Sequence, residues 1–546
     1  MKRLAVLVAG IAALFAAGTF ATSAVAAYGS GGNCSTNAWM CTEVYKSIGN
    51  NYSYTGHDEP SVLFYSDRNG SGNDNDYTFR LPKDPAVMPN QSDTGGIWNF
   101  QQHPAFWFGM AICDNESAPE YTKTCTPDSD TNIKDGEDPA LPDYIGYHAG
   151  TAFMEMQFYP PGWVPWAAGV SCTATQWCAA LNIDSFQQNQ NTGAVNNADC
   201  LNTAGIEPVG FAFITKNGHP QATVDPRTAF APPFDQTTPD LGKDMLMNPG
   251  DVIRLQIHDT GAGLKIDLND LTSHQHGSML AGASNGWNHV LYQPDSATCN
   301  IEPYSFHPEY ASSSEHTRVP WAAHSYNVAF SDEIGHWEYC AHADEATGAC
   351  LDTGNPTDPA HDGDDIGCFN ADDSLLVLVG GCLFTDGDFD GTSYKTRSWP
   401  GNGPAFDAMA PDPITFTSPT FNGNKNYDRV AFEADLPRIE GPPCNRFAPG
   451  APGCTNPPAG SQFYPFYSLN DGSALGTDRG RVGNIDCVWT EGGPAYPGTT
   501  NNFGGSSTTE FGTVALRLHY PGPGFHPIVR WNNYRNVLST NPCTSK

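Results

Sequence analysis

Positive charge is scarce in this sequence: 26 Lys and Arg stand against 59 Asp and Glu, a formal net charge of −33. A surface of that sign repels nucleic acid and anionic membranes, and uronate-rich or sulfated polymers with them. Neutral glycans and divalent cations are the partners that remain compatible. Beyond the N-terminus no apolar run is long enough to span a bilayer, since the best candidate, 374–384, has only strand length. Sustained helical periods are few. CxxC pairs, a CxxCH haem motif, GxSxG, HExxH and a Gly-rich phosphate loop are all missing, which removes the usual zinc, haem, serine-hydrolase, metalloprotease and nucleotide-binding signatures.

The chain opens MKRLAVLVAGIAALFAAGTFATSAVAA, a basic start, an apolar run and small residues ahead of Ala27. This is the pattern of a secretory signal peptide over residues 1–26, with cleavage expected after Ala26. Losing Lys2 and Arg3 takes the net charge from −33 to −35. The expectation is an exported, extracellular protein with no membrane association after cleavage. All 16 cysteines follow the signal, and an even count in an oxidising compartment reads as a disulfide framework. Close spacing suggests Cys34 with Cys41, Cys113 with Cys125, Cys172 with Cys178, Cys340 with Cys350, Cys368 with Cys382 and Cys444 with Cys454. Cys200, Cys299, Cys487 and Cys543 are left for longer bridges.

With 56 Gly and 44 Pro the chain turns often, and runs rich in Val, Ile, Phe and Tyr recur between the turns. The class expected is mainly β: an antiparallel, disulfide-stapled, jelly-roll-like sandwich over 61–365 with a His-rich extension, preceded by a loop segment over 27–60 and followed by a second β-rich domain over 366–546. AFWFGMAIC is a continuous apolar run, as for a strand covered on both faces. GTAFMEMQFYPPGWVPW alternates, with Ala152, Met154, Met156 and Phe158 on a core face and Phe153, Glu155, Gln157 and Tyr159 on a face free for chemistry or binding. Pro160 and Pro161 end that strand, and Trp163 and Trp166 follow it. In NPGDVIRLQIHDTGAGLKIDLND two strands meet at a Gly-rich turn. Ile253, Leu255 and Ile257 face the core with Leu264, Ile266 and Leu268, while Arg254, Gln256, His258, Lys265, Asp267 and Asn269 face away.

The strand order from Ser61 to Tyr292, closing with this NPGD hairpin, resembles the concanavalin-like jelly rolls of lectins and several glycoside hydrolase families. The resemblance implies a sandwich fold and carbohydrate as a ligand class. Phrases such as GTAFMEMQFYPPG, SYNVAFSDEIGHWEYC and YDRVAFEADLPRIEG also resemble a group of large secreted bacterial proteins, a likeness that brings no activity with it.

Glycoside hydrolysis needs two carboxyl groups about 5 to 9.5 Å apart, one protonated and one ionised. The polar faces offer Glu155, Asp184 and Asp267, and the pair taken as catalytic is Glu155 with Asp267. Gln157, Tyr159, Trp163, Trp166, Arg254 and His258 are expected to bind the polysaccharide, the tryptophans by stacking on sugar rings. Asp386, Asp388 and Asp390, followed by Gly391, form the first half of a calcium loop, with Arg397 standing where an EF-hand needs an acid; a structural calcium of another kind is expected. Two other readings stand beside the hydrolase: a calcium-stabilised carbohydrate-binding or cell-surface protein without turnover, and a copper-dependent oxidoreductase. The copper reading draws on His307, His324, His336 and His342 and on the His274, His276 and Met279 group.

Overall fold

The computed structural model describes mainly residues 61–66, 68–83, 106–117, 151–159, 175–189, 194–229, 231–309, 328–332, 414–423, 425–434, 467–470 and 488–491, with shorter pieces elsewhere. Two nine-stranded antiparallel sheets account for most of them. The first, here the hairpin sheet, runs His276–Ala281 (β12), Gly263–Asp270 (β11), Val252–Thr260 (β10), Asp74–Arg80 (β4), Thr415–Thr417 (β18), Val488–Glu491 (β23) and Tyr467–Asn470 (β22). Thr420–Phe421 (β19) also pairs with β4, and Lys425–Asn426 (β20) pairs with β19. The second, here the meander sheet, runs Tyr534–Leu538 (β26), Arg429–Ala434 (β21), Ser61–Tyr65 (β3), Val328–Asp332 (β16), Phe106–Cys113 (β6), Thr151–Tyr159 (β7), Cys178–Asp184 (β8) and Val209–Phe213 (β9). His307–Pro308 (β15) adds to β6. Four two-stranded ribbons lie outside these sheets: Val44–Lys46 (β1) with Tyr54–Gly56 (β2), Ile97–Trp98 (β5) with Tyr339–Cys340 (β17), Asn288–Val290 (β13) with Ile301–Pro303 (β14), and Ala515–His519 (β24) with Pro527–Trp531 (β25).

The sheets pack face to face over one apolar core, as the sequence pattern requires of a sandwich. The meander sheet supplies Phe106, Phe108, Met110, Met154, Met156, Phe158, Leu181 and Ile183, and the hairpin sheet supplies Phe79, Ile253, Leu255, Ile257, Leu264, Ile266 and Leu268, all buried. Its centre is aromatic. Phe108 lies 4.6 Å from Tyr77 and 5.2 Å from Phe330 between ring centroids, and Phe330 stacks on Phe416 at 4.3 Å. The β10–β11 hairpin has the expected faces, with Leu255 opposite Leu268 and Ile257 opposite Ile266.

The boundary drawn at 365/366 does not separate two sandwiches among the described residues. Strand β21 pairs with β3, placing Phe432 opposite Val62, and β18 pairs with β4, placing Phe416 opposite Phe79. The C-terminal strands thus flank the first strands of the sandwich and share their core. Backbone pairing between segments so far apart leaves no local trace in the sequence.

Cys200 and Cys299 form a disulfide across 99 residues, one of the longer bridges expected, and Cys113, Cys178 and Cys543 are also disulfide-bonded. Because residues on both sides of 365 pack into one core, Phe416→Ala is expected to cost about 3–5 kcal/mol. Denaturant unfolding followed by circular dichroism and by tryptophan fluorescence should show one coincident transition, moved to lower denaturant in the variant.

Candidate functional site

Alternation along β7 turns Glu155, Gln157 and Tyr159 away from the shared core, as expected, yet this outer face is also covered. Glu155 is 9% exposed, Gln157 4%, Tyr159 2% and Asn182 of β8 3%. The physical reason is two further apolar clusters on the outside of the meander sheet. One holds Leu63, Tyr65, Trp107, Ala111, Phe153, Phe186 and Ala329, and the other Tyr159, Cys178, Ala180, Phe211, Phe213 and Ala229. The polar side chains form a seam between them. Gly109 sits opposite Glu155, and the Trp107 ring lies over it so closely that a Cβ there would come within 2.4 Å of the indole.

Polar groups withdrawn from water must bond to one another. Gln157 Nε2 donates to Glu155 Oε2, Tyr159 Oη donates to Gln157 Oε1, and Asn182 Nδ2 donates to Tyr159 Oη at 3.4 Å. Asn182 stands directly across the ladder from Glu155. Asp184, two residues further along the same face, is half-buried, and its carboxyl is held well above the usual carboxylate range by burial and then by the charges of Glu155 and Glu207.

The outer face of the hairpin sheet is different: it is open, and its charges are matched. Arg254 binds Asp76 through Nε at 3.0 Å and through Nη2. His258 Nδ1 lies 2.8 Å from Asp74 Oδ1, and Asp267 meets Lys265 Nζ at 2.7 Å and His276 Nε2 at 3.3 Å. The hydrogen bond to Asp74, with the charges of Asp74 and Asp267, raises the His258 pKa against the opposing effect of burial. Between these pairs stand the half-buried amides of Gln256, opposite Asp267, and Asn269, opposite Arg254, neither of which makes a side-chain hydrogen bond among the described residues.

The expected catalytic carboxyls therefore do not meet. Glu155 points outward from one sheet and Asp267 outward from the other, with the core between them. Sheets in a sandwich lie about 10 Å apart and outward side chains add to that, so the separation exceeds the hydrolytic range. The expected binding residues divide in the same way, Gln157 and Tyr159 lying in the covered seam and Arg254 and His258 on the open face. Met279 lies in the core, away from exposed His276 on the same strand, because strand residues three apart face opposite ways. His307 is engaged by Asp259 at 2.7 Å. Trp163, Trp166, His324, His336, His342, Asp386, Asp388 and Asp390 lie outside the described residues. Among the described residues no group of three or more His, Cys, Asp or Glu side chains is placed to hold a metal ion.

One cluster has no motif in the sequence. His289 of β13, 3% exposed, bonds through Nδ1 to buried Asp114 at 2.8 Å and through Nε2 to exposed Glu302 at 3.2 Å, and it stacks on Tyr304 at 4.1 Å. Asp114 also accepts from Ser185 Oγ, so the serine serves the carboxylate and not the imidazole. Asp114 and His289 are 175 residues apart, and only the fold joins them.

Comparison with known proteins gives no match: no family model, no curated protein and no solved structure is similar to the chain.

Burial alone would lower the His289 pKa, but Asp114, Glu302 and Glu116 more than reverse it and raise it to about 9. The stabilisation from this ion triad is complete below the unfolded-state value near 6.5 and is lost as pH rises through about 9. Thermal melts from pH 6 to 10 should show stability falling over that window by an amount on the order of 3 kcal/mol, and His289→Asn should flatten the decline.

Proposed function

We propose that the chain is an exported protein that binds neutral polysaccharide through the open face of the hairpin sheet, without turnover. The observation that carries this reading is the pair of amides, Gln256 and Asn269, held among fixed ion pairs on a solvent-facing sheet. An amide offers both a donor and an acceptor, which suits sugar hydroxyls, and neither amide has a competing partner within the described part of the protein. The surrounding Arg254–Asp76, His258–Asp74 and Lys265–Asp267–His276 contacts give each of these carboxylates a partner and hold the surface in place. The face spans β12, β11, β10 and β4, about 15 Å between the outer strands, enough for two or three sugar rings. The signal-like N-terminus, the acidic surface and the disulfides support an extracellular setting and an uncharged ligand. A structural calcium at Asp386, Asp388 and Asp390 belongs to the same reading.

Hydrolysis by Glu155 acting with Asp267 lacks the necessary proximity, and the carboxyls that do share a face are Glu155 and Asp184. The test is depletion of the mature protein from solution by a panel of insoluble neutral polysaccharides, with soluble products assayed in parallel. Retention without product release is expected, and the double variant Gln256→Ala with Asn269→Ala should weaken it about tenfold or more, two hydrogen bonds at roughly 1 kcal/mol each, while the melting temperature stays within about 2 °C. Retention on no member of the panel would overturn the reading. Product release that disappears in Glu155→Gln or Asp184→Asn would replace it with hydrolysis at the seam.

A further inference from the structure

The hydrogen-bond chain in the covered seam has a direction, and it ends on an acceptor. Tyr159 commits its hydroxyl hydrogen to Gln157 Oε1, so toward Asn182 it presents only lone pairs. That fixes the Asn182 amide with Nδ2 toward Tyr159 and Oδ1 turned away from it. Asn182 is 97% buried, and its Oδ1 has no hydrogen-bond partner among the described residues. The next residue on the same face is Asp184, whose carboxyl makes no hydrogen bond among the described residues and whose charged neighbours there are Glu155 and Glu207. Directly opposite Asn182 is Glu155 itself. Three side chains thus place oxygen acceptors on one patch, one of them buried and unsatisfied.

We propose that Asn182 Oδ1, Asp184 and Glu155 bind a calcium ion. Cross-strand neighbours have Cβ atoms about 5 Å apart, and residues two along a strand are separated by about 6.6 Å, so the three oxygens can turn onto a common point. An all-oxygen set of one amide and two carboxylates suits a hard cation and not zinc or copper. Calcium tolerates irregular geometry and ligand distances of about 2.3–2.6 Å, whereas magnesium demands a near-ideal octahedron that three oxygens on a twisted sheet do not provide. Asp184 is the half-open member of the set, and water reaching it from that side completes the coordination. With two charged ligands the affinity belongs in the range of extracellular calcium modules, a Kd of about 10⁻⁴–10⁻³ M. Bound calcium also relieves the repulsion between Asp184 and Glu155.

This site is separate from the polysaccharide face and does not depend on it. The experiment is isothermal titration of calcium chloride into chelator-treated mature protein carrying Asp386→Asn, Asp388→Asn and Asp390→Asn, which removes the other candidate calcium loop. One site of about 10⁻⁴–10⁻³ M is expected, weakened at least tenfold by adding Asp184→Asn or Asn182→Leu. Asp184→Asn replaces a half-buried carboxyl beside like-charged neighbours with a neutral amide of the same shape, so without calcium it should melt at or above its parent; it decides the matter alone if Asn182→Leu does not fold. No heat from the parent, or undiminished affinity in Asp184→Asn, would overturn the assignment. Polysaccharide retention is measured on other residues, so either proposal can fail without the other.

Discussion

Burial of the meander sheet on both of its faces is the constraint on which the rest of the arrangement depends. A sandwich needs one apolar face per sheet, and the hairpin sheet follows that rule, with aliphatic residues inward and charged residues outward. The meander sheet has apolar clusters on its outer side as well, and any polar group caught there loses its water. The cost of an unsatisfied buried donor or acceptor, about 1–3 kcal/mol, explains why Glu155, Gln157, Tyr159 and Asn182 are bonded in series and not scattered. It also explains why the last acceptor of that series stands out. On the open sheet a missing partner costs almost nothing, since solvent supplies one.

The same contrast separates what could be read in the sequence from what could not. The register of the β10–β11 hairpin was legible because both strands alternate and the turn joining them is local. The double burial of β6 was legible too, since Phe106–Cys113 has no polar residue to place outward. The outward face of β7 was correctly divided from its inward face, but its exposure was misjudged. Glu155 and Gln157 look solvent-facing in sequence, but the outer side of the meander sheet also carries apolar clusters that include Trp107, Phe186 and Phe211, side chains from elsewhere in the chain whose arrival no periodicity announces. Asp267 and Glu155 each alternated outward as read. Neither pattern tells which sheet a strand will join, so their supposed proximity could not be judged. His289 is the extreme case, an isolated histidine in GWNHV that acquires its meaning from Asp114 and Glu302 only after folding.

The charge imbalance is handled differently on the two faces. On the outer face of the hairpin sheet the carboxylates Asp74, Asp76 and Asp267 each have a partner among Arg254, His258, Lys265 and His276, within a strongly acidic protein. Around Asp184 the nearby charges are Glu155 and Glu207, and burial amplifies their repulsion. One face pairs its carboxylates, and the other gathers acidic groups close enough to repel one another.

The pairing of β3 with β21 and of β4 with β18 bears on how such a chain reaches its folded state. Strands near residue 62 and residue 79 occupy interior positions in their sheets, yet β3 takes β21, and β4 takes β18 and β19, from beyond residue 413. While the chain emerges in order, those early strands have unpaired hydrogen-bonding edges for as long as several hundred residues take to follow. Exposed edges invite association with other chains, and contacts of such long range form slowly. Folding of this chain is therefore a matter of timing as much as of stability: the polypeptide has to be kept from pairing with its neighbours until its last strands have arrived to close the first ones.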